Sequence, residues 1–266
     1  CALFAQFDVR PIRRLSKVFR VNASKRAYCA ITTQFIDRLF QQAGHLPSNL
    51  FQTQDCEDSI ASRQIVQKHG GACLETPAKI RAVASSLADL HRRGHRVVAI
   101  VSAMGKTTDE LIRMAYQASP HPNRRELDML LTTGERISMS LMSMALSDLG
   151  VPAISFTGSQ AGVMTDQSHS SARILDVRPI RVLEELDRGR IVVLAGFQGV
   201  NPVNKEVTTL GRGGSDTTAV AMAAALKAES CEIIKEVDGV CSADPRIVAN
   251  AIPLRQLDFA TLSEMC

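Results

Sequence analysis

Residues 207–227 read VTTLGRGGSDTTAVAMAAALK. Just upstream, Ile191-Val192-Val193-Leu194-Ala195-Gly196-Phe197 is an apolar run with the character of a buried strand. Within 207–227 a glycine cluster, Gly211-Arg212-Gly213-Gly214-Ser215-Asp216, leads into an alanine-rich segment with high helix propensity. Strand, glycine loop and helix start together make an anion trap. Glycines let backbone N–H groups come close to phosphate oxygens, and the helix N-terminus adds partial positive charge. Ser215 or Asp216 is the expected N-cap. Arg212 carries a fixed charge and a fork that suits a carboxylate or a phosphate. Glycine patterns alone are weak signals, and the bland alternative is a surface turn before an ordinary helix. The arginine and the Ser-Asp pair inside the cluster favour the anion site.

Working outward, the 266 residues suffice for one large α/β domain or two small ones with a substantial core. Hydrophobic content of 45% and charged content of 22% fit a soluble globular protein, expected in the cytoplasm. A net charge of +4 is too mild to argue for nucleic acid, and no apolar run is long enough for a membrane span. The seven cysteines form no Cys-x-x-Cys pair and no regular spacing, so neither a metal site nor a disulfide framework is expected. Residues 1–61 stand apart: Arg10, Arg13, Arg14, Lys17, Arg20, Lys25 and Arg26 crowd an acid-poor segment. Residues 33–43 carry a short amphipathic pattern, and 44–61 read as a polar linker. This part is read as an extension, disordered or accidental, in preference to an organelle transit peptide.

The patterned part opens with a short strand ending Lys68-His69-Gly70-Gly71, where a lysine can reach phosphates while the glycines admit a nucleotide closely. An ordinary charged strand end is the alternative. Thr76-Pro77 begins a helix with a good N-cap and a good first residue, ended by Gly94. Residues 96–101 form a strand followed by Ser102-Ala103-Met104-Gly105-Lys106-Thr107-Thr108, at the end where open α/β sheets bind ligands. Residues 125–149 read as a helix whose core face holds Ile137, Leu141, Met144, Ala145 and Asp148. Glu135 interrupts its apolar pattern, and on spacing alone such an acid is more often solvated than functional. Strands at 151–157, 173–177 and 231–237 alternate with helices. The expected fold is therefore α/β, a mostly parallel sheet sandwiched between helices.

These segments together resemble the amino acid kinase family, and most the catalytic domains of actinobacterial-type aspartate kinases. The resemblance rests on Lys68-His69-Gly70-Gly71, on residues 101–110 (VSAMGKTTDE), on Thr132-Thr133-Gly134-Glu135-Arg136, on Phe156-Thr157-Gly158-Ser159-Gln160, on 207–226 and on 237–248. It covers roughly residue 65 to the end and implies an amino acid kinase (carbamate kinase-like) domain over 62–266. The implied reaction is MgATP-dependent phosphorylation of the L-aspartate side chain to 4-phospho-L-aspartate, on the route to lysine, threonine, methionine and diaminopimelate. ATP and Mg2+ are the implied cofactors, and a homo-oligomer or an assembly with a regulatory subunit the implied organisation. By the same resemblance Lys68 and Asp216 are catalytic. His69, Gly70, Gly71, Ser102, Gly213, Gly214, Ser215, Lys235, Glu236, Cys241, Asp244, Pro245 and Arg246 line the nucleotide. Thr108, Glu135 and Arg212, with Gly213, Gly214 and Ser215, hold the amino acid: Arg212 its α-carboxylate and Glu135 its ammonium. The family's usual residues are replaced at Ala72-Cys73, where hydroxyls are common, at Lys235-Glu236, at His69 and at Cys241. The sequence also stops before the family's last kinase helices and before its ACT domains, so the domain is expected to be C-terminally incomplete. The alternative is a weakly active or non-catalytic nucleotide- or amino-acid-binding paralogue.

Overall fold

The computed structural model describes residues 17–22, 63–236, 239, 241–243 and 247–254. The strands are β1 (Lys17–Asn22), β2 (Gln64–His69), β3 (Arg96–Val101), β4 (Ala153–Phe156), β5 (Val163–Thr165), β6 (Ile174–Val177), β7 (Ile191–Ala195), β8 (Gln198–Val200), β9 (Val207–Thr209) and β10 (Ser230–Lys235). The helices are α1 (Pro77–Arg92), α2 (Thr107–Ala118), α3 (Arg124–Asp148), α4 (Ile180–Asp187) and α5 (Gly214–Ala225), with a 3-10 turn at Gly71–Leu74. A six-stranded sheet runs β1-β10-β2-β3-β7-β4. All its neighbours are parallel except β1, which pairs antiparallel with β10 at the edge. The segments expected at 33–43 and 44–61 lie outside the described residues.

Strand alternation divides the core in two. Val98 and Ile100 of β3, with Val192 and Leu194 of β7, pack against Ala219 and Met222 of α5 and Val182 and Leu186 of α4. Val97, Ala99 and Val101, with Ile191, Val193 and Ala195, pack on the other face against Ile80, Ala84 and Leu87 of α1 and Met142 and Leu146 of α3. This is why the central strands read as continuous apolar runs: both faces are covered. Helix α1 begins as its sequence dictates, with Thr76 Oγ1 accepting the Lys79 N–H at 3.2 Å and Pro77 as first residue.

Two expectations need correction. The chain builds a second, four-stranded sheet, β6-β5-β8-β9, mostly antiparallel. Three of its strands have 3 residues each, too short to show an alternation pattern. The core face of α3 is also rotated from the expected stripe. Ile137 and Met144 are 49% and 63% exposed, while Leu131, Ser138, Met139, Met142, Ala145 and Leu146 are buried. A helix with apolar residues on more than one side offers several stripes, and packing selects among them. Among the described residues no helix is long and apolar enough to cross a membrane.

Candidate active site

The period of two that sorts the core also aims the charged side chains. Val66 of β2 lies in the α5-side cluster, so Lys68, two residues on, emerges on the same face at the carboxyl end of the strand. Cys231 and Ile233 of β10 do the same for Lys235. Asp216, in the first turn of α5, receives both ammonium groups: Lys68 Nζ lies 2.6 Å from Oδ1 and Lys235 Nζ 2.8 Å from Oδ2. The Lys68 and Asp216 side chains are 7% and 6% exposed, whereas that of Lys235 is 40% exposed, so the arrangement opens to solvent on the Lys235 side. Burial alone would raise the Asp216 carboxyl, but the two flanking cations prevail and hold it below the usual carboxylate range. Burial lowers the Lys68 ammonium, with Asp216 opposing. One buried carboxylate thus organises two cations, and the group carries net positive charge.

Glycine turns surround it. Gly105 N–H donates to Gly71 O at 2.9 Å, and Ser102 N–H donates to His69 O at 3.2 Å, which ties the loop after β3 to the loop after β2. A Cβ at Gly71 would sit 2.7 Å from Ala103 O, so only glycine permits this approach. At α5 the cap differs from expectation. Gly213, with φ +77, is the N-cap, and Ser215 and Asp216 lie inside the first turn, both buried. The left-handed backbone that starts the helix here is a glycine conformation, and it leaves Asp216 free to face the lysines. Gly214 is buried, while Arg212 and Gly213 are exposed at the turn.

Glu135 is not solvated. It is 3% exposed on α3, and its Oε1 accepts the Ala103 N–H at 3.1 Å, in the same loop that meets Gly71. Its Oε2 is buried and has no hydrogen-bond partner. Burial pushes its pKa up to about 7. Thr108 lies in the first turn of α2, directly after that loop. His69 is fully enclosed and held neutral, its pKa lowered to about 3 by burial and by Lys68. Gly70 N–H bonds Ile234 O at 3.0 Å, joining β2 to β10 at the site.

The positions that depart from the family pattern are divided. Ala72 is exposed, but Cys73 is buried, its thiol 3.8 Å from Ile234 O. Glu236 is engaged by Lys79 Nζ at 2.8 Å, and Lys79 also holds Glu75 at 2.9 Å and Ala72 O at 3.0 Å. Sequence reading passed over Lys79, which ties the glycine turn to the end of β10. Cys241 is half-buried and forms a β-bridge with Pro253. Asp244, Pro245 and Arg246 lie outside the described residues. Asp128 was also missed. It is 0% exposed on α3, two turns before Glu135. Its signal was an acid inside the apolar run Leu127-Asp128-Met129-Leu130-Leu131.

A carboxylate between two lysines, glycine turns at strand ends and a helix N-terminus meet at one place, an arrangement with the chemistry to take an anion. The sequence profile described as "Amino acid kinase family" matches residues 63–265. The chain belongs to the amino acid kinase family. Within it, the chain is similar to aspartokinases. It is 57% identical over 201 residues to the aspartokinase of Corynebacterium glutamicum, covering 76% of this chain and 48% of that protein. The aspartate kinase of Synechocystis, a solved structure, shares 50% identity with a TM-score of 0.62, covering 71% of this chain and 31% of that one. Aspartokinase III of E. coli in complex with aspartate and ADP has the same fold, with a TM-score of 0.63 at 22% identity over 71% of this chain and 53% of that one. The chain thus spans about half the length of the curated relative it matches.

Proposed function

We propose that this chain is the catalytic domain of an aspartate kinase, transferring the γ-phosphoryl group of MgATP to the side-chain carboxylate of L-aspartate. The observation that carries the reading is Asp216 held between Lys68 and Lys235 at the first turn of α5. The likeness to aspartokinases supports the choice of amino acid. A carboxylate acceptor is already ionised at neutral pH, so no general base is required. An oxygen of the aspartate side chain attacks the γ-phosphorus, and the bond from that phosphorus to the β,γ-bridging oxygen breaks. Its electron pair leaves with ADP, and 4-phospho-L-aspartate forms without net proton transfer. Catalysis then consists of positioning and of neutralising charge on the transferring group. Lys68 and Lys235 supply the cations, and the N-terminus of α5 with its glycine turn supplies N–H donors. Magnesium would come with the nucleotide, held largely by its own phosphates.

At the other end Arg212 pairs with the α-carboxylate of the amino acid, and the free Oε2 of Glu135 accepts its ammonium. Opposite charges matched to a zwitterion discriminate against simple dicarboxylates. The test is a coupled ADP-release assay with L-aspartate, L-glutamate and N-acetyl-L-glutamate as acceptors. Turnover with aspartate alone supports the reading. Preference for another acceptor, or nucleotide binding without any turnover, overturns it.

A further inference from the structure

Asp128 is a buried carboxylate with several hydrogen-bond donors around it, and no step of the phosphoryl transfer uses it. Its oxygens accept Ser170 N–H at 3.0 Å, Ser170 Oγ at 3.2 Å, Thr209 N–H at 3.1 Å and Thr209 Oγ1 at 2.7 Å. His169 Nδ1 lies 3.0 Å from Oδ2, and its Nε2 lies 3.1 Å from Glu206 Oε2. Glu206 in turn meets Arg125 Nε at 3.6 Å and Asn204 Nδ2 at 3.2 Å. The partners of Asp128 come from two segments, the turn at 168–171 and the end of β9. Ser170 is held at φ +66, a left-handed conformation that a non-glycine residue keeps only when its surroundings enforce it. Ala172 N–H bonds Thr209 O at 2.9 Å, which joins the two segments. A Cβ at Gly211 would be 3.4 Å from Ser170 O, so the 168–171 turn lies against the turn that presents Arg212.

We propose that Asp128 is a positioning residue for the amino-acid pocket. It fastens the base of the Arg212 turn to helix α3, which carries Glu135 two turns further on, and so fixes the spacing of these two groups. The consequence for amino-acid binding rests on the function proposed above. The tie itself does not. Neither Lys68 nor Lys235 touches Asp128, so nucleotide binding depends on it less than amino-acid binding does.

The test uses the whole chain with Asp128→Asn, which keeps the shape but replaces one acceptor oxygen by an NH2 donor facing N–H and O–H donors. Thr209→Val, which removes a single bond, serves as a milder second variant. The expected result is a tenfold or greater rise in the Kd for L-aspartate, with the Kd for MgATP within twofold of the parent and a smaller change of the same sign in Thr209→Val. Amide hydrogen exchange should accelerate at least tenfold at Ser170 and Thr209 and stay unchanged in β3 and β7. Equal losses for both ligands, or an unchanged aspartate affinity, overturn the proposal. If the parent chain binds MgATP but no L-aspartate, the proposed substrate falls, and exchange alone decides. Acceleration at both amides then supports the tie, and its absence overturns it.

Discussion

Lys68 is buried beside Asp216 at the end of a strand, so its charge acts on whatever phosphate enters the glycine turns. Lys68→Ala should lower kcat by about 10²–10³-fold while leaving the affinity for L-aspartate nearly unchanged, since the charge matters most in the transition state. Steady-state kinetics and equilibrium binding check the two halves. Glu135 makes a pH prediction. Its carboxyl binds a proton more tightly in the folded chain, near 7, than at its ordinary 4.5. Folding stability with respect to this group therefore falls as pH rises from about 4.5 to about 7 and is level outside that window. With Glu135 in its proposed role, amino-acid binding goes the other way, because only the ionised carboxylate attracts an ammonium. L-Aspartate affinity should rise by about tenfold from pH 6 to pH 8, while both carboxylates of the ligand stay ionised. Calorimetric titration should show that rise in the parent and a flat, weak profile in Glu135→Gln. A steep profile surviving the substitution would assign the titration to another group. Lys68 and Glu135 stood out in the sequence only through the family motifs they lie in, since spacing alone reads the first as a charged strand end and the second as solvated, whereas Asp216 also lies in the glycine cluster before α5. The partnership of Lys235 with Asp216 was not legible there. It exists because β10 lies beside β2 in the sheet, and sheet order is not written in local spacing.

At the scale of the element, the 3-10 turn after β2 decides how closely the loops approach. Gly71→Ala places a methyl 2.7 Å from Ala103 O, so one of the two loops must shift. The expected outcome is a loss of activity much larger than the loss of thermal stability. Gly94→Ala is the comparison: φ there is +85 with open space around the position, and the change should cost stability of about 1 kcal/mol with activity preserved. Paired melting and turnover measurements separate the two. The neighbouring departures behave differently from each other. Ala72 is exposed on the turn, whereas the Cys73 thiol is turned to Ile234 O. A hydroxyl restored at the exposed position should contribute on the order of 1 kcal/mol, about fivefold in rate. Ala72→Thr is therefore expected to raise kcat/KM several-fold and Cys73→Ser to change it little, as the coupled assay on each variant would show. Helix α1 and the central strands could be read from caps and apolar runs. The second sheet could not, because strands of 3 residues leave no periodic trace.

Across the whole molecule, one buried carboxylate joins distant parts of the sequence. Lys68 arrives on β2, Lys235 on β10 and Asp216 on α5, while Glu135 comes from the opposite layer through the Ala103 loop. The alternation that buries Val66 and Ile233 on the α5 face also delivers both lysines to Asp216, so the core and the site share one cause. Strand β1 adds an antiparallel edge to this sheet beside β10, a contribution from a region read only as an extension. Its basic, acid-poor composition hid a strand that depends on a distant partner. The proposed reaction is phosphoryl transfer to L-aspartate at the lysine–aspartate–lysine group. The most direct measurement is turnover of the purified chain with MgATP and L-aspartate, following ADP release and trapping the acyl phosphate with hydroxylamine. Stoichiometric ADP and aspartyl hydroxamate are expected, both falling together by about 10²–10³-fold in Lys68→Ala. Aspartate-independent ADP release, or full hydroxamate formation in the folded Lys68→Ala chain, would contradict it.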